Sequence, residues 1–280
     1  MDEPRVWLVT GSSRGLGRAI AEAAASSGAK VMATARQPDQ LDDLMAAYPG
    51  RVETVALDVT NPAAACRAVR AAVDVFGRLD VVVNNAGYAD SAPIEEMSEE
   101  DFRRQIEANL FGVVNVTRAA LPVLRAQRSG VFVQISSIGG RVGGTPGMGA
   151  YQTAKFAVEG FSEVLAAETG PFGVKVIIVE PGAFRTEWQG SSMVRHPVGP
   201  DYEATVGRIH RFRAESQGDQ PGDPVRAAEA IVKVASLDDP PRRLPLGSDA
   251  LSTALTAGAA RNAEAERWAD LSRSTDYRAS

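Results

Sequence analysis

The sequence predicts an α/β protein built as a single domain, residues 1–280, around one doubly wound parallel sheet. Three observations carry that expectation. Short apolar runs alternate with amphipathic stretches along the chain, the order of repeated βαβ units. The first apolar run opens into a glycine-rich turn and an alanine-rich helical stretch. Later runs, such as Val81-Val82-Val83, are continuous enough in apolar residues to be buried on both faces, as strands of a parallel sheet are.

Composition agrees and excludes several function classes. The 280 residues suffice to bury most of the apolar surface without covalent staples. Cys66 is the only cysteine, so no intrachain disulfide forms. A net charge of −5 argues against a nucleic-acid partner. No apolar run approaches the ~20 residues of a membrane span. The acidic start Met1-Asp2-Glu3-Pro4 leads at once into the first strand without a signal-peptide pattern, so a cytoplasmic protein with no membrane partner is expected. His196 and His210 are the only histidines and fall in no metal-ligand pattern, so no metal is expected.

The elements follow in order. The first strand, residues 6–9, runs into Thr10-Gly11-Ser12-Ser13-Arg14-Gly15-Leu16-Gly17, and residues 18–27 are helical, with Gly28 as a stop. Glycines permit a sharp turn and close backbone approach, and N–H groups at a helix N-terminus suit a pyrophosphate. Gly11, Ser13, Arg14, Gly15, Leu16 and Gly17 are therefore candidate cofactor contacts, although an ordinary βα turn reads the same way in isolation. The second strand, residues 30–35, ends in Thr34-Ala35-Arg36. A NAD site commonly places an acid there for the ribose 2′-hydroxyl. None is present, and Arg36, helped by Arg14, offers a bidentate partner for a 2′-phosphate. NADP(H) is the preferred cofactor, with NAD(H) left open because Asp39 lies close by.

Residues 38–47 read as a short helix, and a third strand, 52–57, ends in Asp58-Val59. Asp58 either accepts from an adenine amino group or caps the helix over 63–76, whose entry Thr60-Asn61-Pro62 has cap residues of its own. The fourth strand, 79–83, runs into Asn84-Asn85-Ala86-Gly87, small enough to admit a flat ring, with amides able to tie neighbouring strands together. Ser98-Glu99-Glu100-Asp101 starts a helix to residue 125 that Pro122 bends or ends. Asn109 falls inside it, where propensity disfavours asparagine. It holds a water, disturbs the helix locally, or is simply a satisfied amide.

The fifth strand, 131–135, ends in Ser136-Ser137, and a glycine-rich loop to Gly149 precedes a helix over 150–168. Small residues on that helix, Ala154, Ala157 and Gly160, allow close packing against another subunit. The sixth strand, 174–179, is followed by Pro181-Gly182 and Thr186, which turn the chain across the sheet edge. Residues 188–222 lose periodicity and read as a helical and loop lid carrying Trp188, Met193 and Phe212, with both histidines as lid or surface residues. A helix over 223–235, an edge strand over 243–247 and a helical extension over 249–272 complete the chain. Pro245 disqualifies its strand from a central position.

Tyr151 and Lys155 are one helical turn apart on one face. A free tyrosine, with a pKa near ~10, is a poor acid–base catalyst at neutral pH, and an ammonium one turn away lowers that value. The pair is a plausible proton donor and acceptor for a carbonyl or alcohol oxygen. Only four of the thirty basic residues are lysines (Lys30, Lys155, Lys175 and Lys233), which counts against the alternative of two unrelated residues on a solvated helix face.

In order, Thr10-Gly11-x-x-x-Gly15-x-Gly17, Asn84-Asn85-Ala86-Gly87, Asn109, Ser137, Tyr151-x-x-x-Lys155 and Pro181-Gly182 resemble the short-chain dehydrogenase/reductase family over residues 5–190. Residues 156–161, Phe-Ala-Val-Glu-Gly-Phe, together with Thr34-Ala35-Arg36, are most similar to the 17β-hydroxysteroid dehydrogenase type 1-like group. The resemblance implies a Rossmann-like fold and a role for each residue. Tyr151 exchanges a proton with the substrate oxygen, and Lys155 lowers the tyrosine pKa and holds the nicotinamide ribose. Ser137 binds the carbonyl, and Asn109 positions a relay water. Asp58 and Val59 meet the adenine, Asn85, Ala86 and Gly87 line the cofactor, and Thr186, after Pro181 and Gly182, holds the carboxamide. Hydride passes from the pro-S face, and the family habit is a homodimer or homotetramer packed through the helices after the fourth and fifth strands. Two departures stand out. The gap from Ser137 to Tyr151 is one residue longer than usual, which keeps Ser136 as a second candidate, and the tail is longer than the family core.

The function expected is an NADP(H)-dependent carbonyl reductase or alcohol dehydrogenase for an apolar substrate. The alternative is a non-catalytic NADP(H)-binding sensor or scaffold on the same fold. Epimerisation or dehydration of nucleotide sugars is disfavoured by chain length and glycine spacing.

Overall fold

In the computed structural model, which describes residues 3–189 and 193–277, all seven strands among the described residues pair in parallel. They are β1 (Val6–Val9), β2 (Lys30–Ala35), β3 (Val52–Ala56), β4 (Val81–Asn84), β5 (Gly130–Ile135), β6 (Val174–Pro181) and β7 (Arg243–Leu246). Their order is β3-β2-β1-β4-β5-β6-β7. Leu8 of β1 registers with Met32 of β2 on one side and Val82 of β4 on the other. The chain reverses direction across the sheet between β1 and β4, so the loops leaving those two strands diverge and open a crevice at the carboxyl edge. This is the Rossmann-like sheet expected from the sequence.

The helices are α1 (Gly15–Ser26), α2 (Asp42–Ala47), α3 (Pro62–Phe76), α4 (Glu99–Ile106), α5 (Gly112–Gln127), α6 (Ile138–Arg141), α7 (Gly149–Thr169), α8 (Arg208–Glu215), α9 (Pro224–Ala235), α10 (Ser248–Arg267) and α11 (Ala269–Arg273). They cover both faces because successive strand residues point to opposite sides. Val9, Val83, Val133 and Val179 pack under α1 and α9 with Ala24, Ala228 and Ile231. Leu8, Val82, Phe132 and Val176 pack under α3, α5 and α7 with Ala68, Val116, Ala120 and Leu165. Phe132 is fully buried at the centre of the second layer, where truncation to alanine costs ~3–5 kcal/mol.

Local chemistry sets the helix ends. Asn61 caps α3 by accepting from the Ala63 and Ala64 N–H groups, Ser98 caps α4 through Asp101 N–H, and Asp223 caps α9 through Val225 and Arg226. Gly77 ends α3 at φ 81°, a left-handed position.

One expectation needs correcting. The helix expected over 98–125 is α4, a π-helical turn (Glu107–Phe111) and α5, and Pro122 lies inside α5, which continues to Gln127. The lid combines helix and loop as expected, with α8, a π-helical turn (Glu203–Gly207) and short 3₁₀ turns. Residues 190–192 of the expected lid lie outside the described residues. The C-terminal extension is helical as expected, but only Ala250 and Ala254 of α10 are buried. The edge position of β7 holds, with Pro245 in register with Glu180.

Candidate active site

A cleft of about 2140 Å³ opens over the carboxyl edge of the sheet, and every residue singled out from the sequence for catalysis or cofactor binding lines it. Its floor is the glycine turn. Gly11 and Gly15 sit at φ 68° and 59°, which other residues avoid. A Cβ on Gly17 would collide with the Asn85 amide and the Gly11 carbonyl. The Asn85 side chain accounts for that closeness, donating to the Thr10 carbonyl at 2.9 Å and the Gly11 carbonyl at 3.1 Å. Thr10 Oγ1 in turn accepts from the Asn85 and Ala86 N–H groups at 2.9 and 3.0 Å. Asn85 therefore clamps the turn. Asn84 is also structural, donating from its buried amide to Thr117 and Gln134.

α1 differs from the capped helices. Its N-cap, Arg14, offers no side-chain acceptor, and no acid lies in its first turn. The first-turn N–H groups are left facing the cleft, the arrangement that receives a phosphate. Arg36 lines the cleft at the end of β2. Arg14 stands exposed, 3.9 Å from Glu187, a surface pair of little energetic weight. Asp58 does not cap α3. Its Oδ1 accepts from Thr60 N–H and Oγ1 at 3.0 and 2.8 Å, and the residue lines the cleft with Val59. Left-handed glycines, uncapped N–H donors and a cleft of this size fit a dinucleotide.

The opposite end holds the titratable groups. Asn109 sits in the π-helical turn, and its Nδ2 donates to the Gln105 carbonyl at 2.9 Å and the Tyr88 carbonyl at 2.8 Å. The Gln105 carbonyl is the one the backbone N–H of Asn109 would take in an α-helix, so the side chain displaces it and the turn widens. Asn109 Oδ1 is left buried without a partner. It lies against Gly87, where any Cβ would strike it and would come within 3.8 Å of Lys155 Nζ. An orphan acceptor and an ammonium thus flank one small polar space beside Gly87. Lys155 Nζ donates to the Ile135 carbonyl at 2.8 Å, and burial pulls its pKa from 10.5 down to about 8.

Tyr151 is 7% exposed, its ring 5.1 Å from that of Trp188. Burial pushes its pKa up to about 12, against the hydrogen bond from Ser137 and the positive charge of Arg213. The lowering expected from Lys155 is not what acts here. Lys155 Nζ is turned to the Ile135 carbonyl, 5.7 Å from the phenol ring centroid, and the cation that acts on Tyr151 is Arg213. Between the two serines, geometry selects Ser137. Ser136 Oγ is buried against Gly140, whereas Ser137 Oγ accepts from Gly139 N–H at 3.0 Å and bonds to Tyr151. The loop between Ser137 and Tyr151 turns beyond α6. Gly144 and Gly147 are left-handed there, and Gln152 Oε1 accepts from the Gly144 and Thr145 N–H groups at 3.2 and 3.3 Å.

Two features were missed in the sequence. Asp249, at the start of α10, accepts from Ala183 N–H at 2.8 Å and backs directly onto Gly182, so the tail braces the Pro181-Gly182 turn. That turn leads to Thr186, which a Cβ on Gly15 would meet at 3.6 Å. Arg213, on α8, is the second. Trp188, Met193, Met148 and Ala89 pack around Tyr151 as an apolar wall, but Phe212 is 63% exposed and does not join it. His210 sits on α8 of the lid, where its Nε2 bonds Ser91 Oγ at 2.8 Å, and His196 is half-buried. Among the described residues no cluster suits a metal, and no helix is long and apolar enough to cross a membrane.

Comparison with known proteins agrees with this geometry. The family model for short chain dehydrogenase matches residues 5–195. The oxidoreductase BOA17 of Botryotinia fuckeliana is 48% identical over 269 residues, covering 96% of this chain and 98% of its own. The crystal structure of a short-chain dehydrogenase from Streptomyces avermitilis superposes with a TM-score of 0.91 at 43% identity, over 99% of this chain and 100% of that one. An alcohol dehydrogenase from the archaeon Thermococcus sibiricus, complexed with 5-hydroxy-NADP, reaches a TM-score of 0.71 at 30% identity, over 87% and 96% of the two chains.

Proposed function

The chain belongs to the short-chain dehydrogenase family and is an oxidoreductase, and from that premise we propose that it interconverts a ketone and a secondary alcohol of a largely apolar substrate with NADP(H). The observation that carries the proposal is the convergence of Ser137, Tyr151, Lys155 and Asn109 at one end of a cleft whose other end is an uncapped helix N-terminus. When bound, the nicotinamide supplies or accepts the hydride. The glycine turn and α1 would hold the pyrophosphate, Asp58 and Val59 the adenine end, and Thr186 the carboxamide end. Arg36, the absence of an acid at the end of β2, and the NADP analogue in the Thermococcus relative support NADP(H) over NAD(H).

The chain's own residues perform the proton chemistry. Ser137 holds the substrate oxygen by a hydrogen bond. Tyr151, a phenol at every physiological pH because its pKa is near 12, is poised to give its proton to that oxygen in reduction. Lys155, with a pKa of about 8, exchanges protons near neutrality and restores Tyr151 through the polar space it shares with Asn109 Oδ1. The wall of Trp188, Met148 and Met193 excludes water from the phenol. Exposed Phe111, Phe156 and Val164, with the open face at Gly160, support assembly as a homo-oligomer through the helices after β4 and β5.

The test is cofactor oxidation by the purified protein with NADPH and NADH in parallel, over graded ketones and aldehydes, with Tyr151→Phe as the blank. Turnover that vanishes in the variant is expected. Turnover that survives it removes Tyr151 from the proton step, and tight NADPH binding without turnover returns weight to a sensor.

A further inference from the structure

Arg213 is a buried charge with no acidic counterpart among the described residues. It lies on the lid helix α8, is 9% exposed, and forms no ion pair among the described residues. The acceptors its Nη1 reaches are two thioethers, Met148 Sδ at 3.0 Å and Met193 Sδ at 3.7 Å. Methionine sulfur is a weak acceptor, and an arginine side chain does not escape burial by losing its proton. An unpaired buried ion is strongly disfavoured, so such a group in a folded protein requires an explanation. A buried ion matched by counter-charges stands elsewhere in the same chain. Glu180, fully buried under β7, meets Arg141 at 3.1 Å and Arg243 at 2.9 Å.

Position supplies the explanation. Met148 and Met193 belong to the apolar wall that contains Tyr151, and the charge of Arg213 acts on Tyr151. The guanidinium therefore stands behind two methionines from the phenol assigned to the proton step. His210, one turn earlier on the same helix, adds no second charge. Burial first and the charge of Arg213 next hold its pKa below the usual histidine range, while Ser91 Oγ takes its ring nitrogen. Arg195 also stands near enough for its charge to act on Arg213.

We propose that Arg213 binds a carboxylate of the substrate, so that the molecule turned over is an apolar oxo acid or the corresponding hydroxy acid. This rests on the oxidoreductase reading above and names the substrate class for the same site. The planar guanidinium presents paired donors that match a carboxylate. Met148 and Met193 are unbranched side chains with several rotatable bonds, so they act as placeholders that a carboxylate displaces.

The experiment compares ketones of graded chain length with their terminal-carboxylate analogues, for wild type, Arg213→Met and Arg213→Lys. Wild type should favour the carboxylate form by about tenfold or more in kcat/KM at one chain length. Arg213→Met should bring that ratio to near one, chiefly through KM of the carboxylate form, and Arg213→Lys should restore part of it. Thermal unfolding of Arg213→Met at or above the wild-type temperature is the expected check on the fold, since methionine removes an unpaired buried ion. Equal kcat/KM for both substrate forms in the wild type overturns the proposal. So does a fall in kcat on both forms in Arg213→Met with the pH profile displaced to alkaline values, which would make Arg213 an electrostatic partner of Tyr151 instead. Calorimetric titration with the carboxylate analogues separates the two readings. Binding lost in Arg213→Met but no turnover of any carbonyl by wild type would uphold the anion site and remove the reductase.

Discussion

Replacing Lys155 by methionine should make the cofactor-free protein more stable while ending its activity. The ammonium is 4% exposed, and burial alone draws its pKa from 10.5 to about 8. At about 1.4 kcal/mol per pH unit, holding this group charged in the folded state at pH 7 costs about 3 kcal/mol relative to the unfolded chain. Methionine has similar length and carries no charge, but it leaves the Ile135 carbonyl without the 2.8 Å bond it now accepts, which returns about 1 kcal/mol. The net gain is about 2 kcal/mol, or about 4 °C in Tm for a chain of this size. The sign with pH follows from proton counts. Between about 8 and 10.5 the unfolded wild-type chain binds more protons at this lysine than the folded one, so wild-type stability from this residue rises with pH across that window. Tyr151, held up to about 12, works the other way above pH 10 in both proteins and cancels in the comparison. Urea unfolding of both proteins without cofactor, at pH 7 and pH 10, should show an advantage for methionine that shrinks almost to nothing at the higher pH. A variant less stable at pH 7, or an advantage unchanged at pH 10, would refute the claim that desolvation of Lys155 sets its pKa.

Other perturbations probe the two ends of the cleft. Arg36→Ala should weaken NADPH binding by about tenfold or more and NADH binding little, and equal losses in titrations of both would sink the 2′-phosphate assignment. Gly17→Ala drives a Cβ into the Asn85 amide and the Gly11 carbonyl, so it should lower stability by about 1–3 kcal/mol and abolish cofactor binding, measured by denaturation and fluorescence titration. Asp249→Ala should raise KM for the cofactor by loosening the Pro181-Gly182 turn, with KM for the ketone almost unmoved. Steady-state kinetics in both substrates would detect the opposite split. The reduction rate should hold level up to about pH 8 and decline above it as Lys155 loses its charge, and a rate rising through pH 9 would argue against that lysine as the proton source.

The parts of the fold legible in the sequence are those where one physical demand dominates. Strands buried on both faces must be apolar throughout, so β1, β4, β5 and β6 were readable to within a residue or two. The glycine turn was readable because φ near +60° and close backbone contact leave few alternatives at Gly11, Gly15 and Gly17. Arg213 was hidden for the opposite reason. α8, Arg-Ile-His-Arg-Phe-Arg-Ala-Glu, has no apolar stripe because the side chain it buries is an arginine. In a chain that uses arginine as its ordinary positive charge, nothing marks Arg213 beforehand. Asp249 reads as a helix-start residue, and its service to a turn 66 residues earlier is a tertiary fact. Asn109 was caught between readings. Its unfavourable helical position was visible, but only the structure shows that one amide nitrogen widens the helix while the oxygen is left for the site.

The contrast among helix starts carries the argument further. α3, α4 and α9 each begin with an asparagine, serine or aspartate whose side chain takes the first free N–H groups, a device that contributes about 1 kcal/mol apiece. α1 lies in the middle of the same sheet and begins with arginine, with no cap and no acid in its first turn. An aspartate there would satisfy the donors and fill the floor of the cleft with negative charge, closing it to a phosphate. At the other end, Lys155 keeps its charge in a buried place and Asn109 Oδ1 goes without a donor. These omissions occur at the two ends of one cleft, so they are better explained by groups the cleft must receive than by imperfect packing.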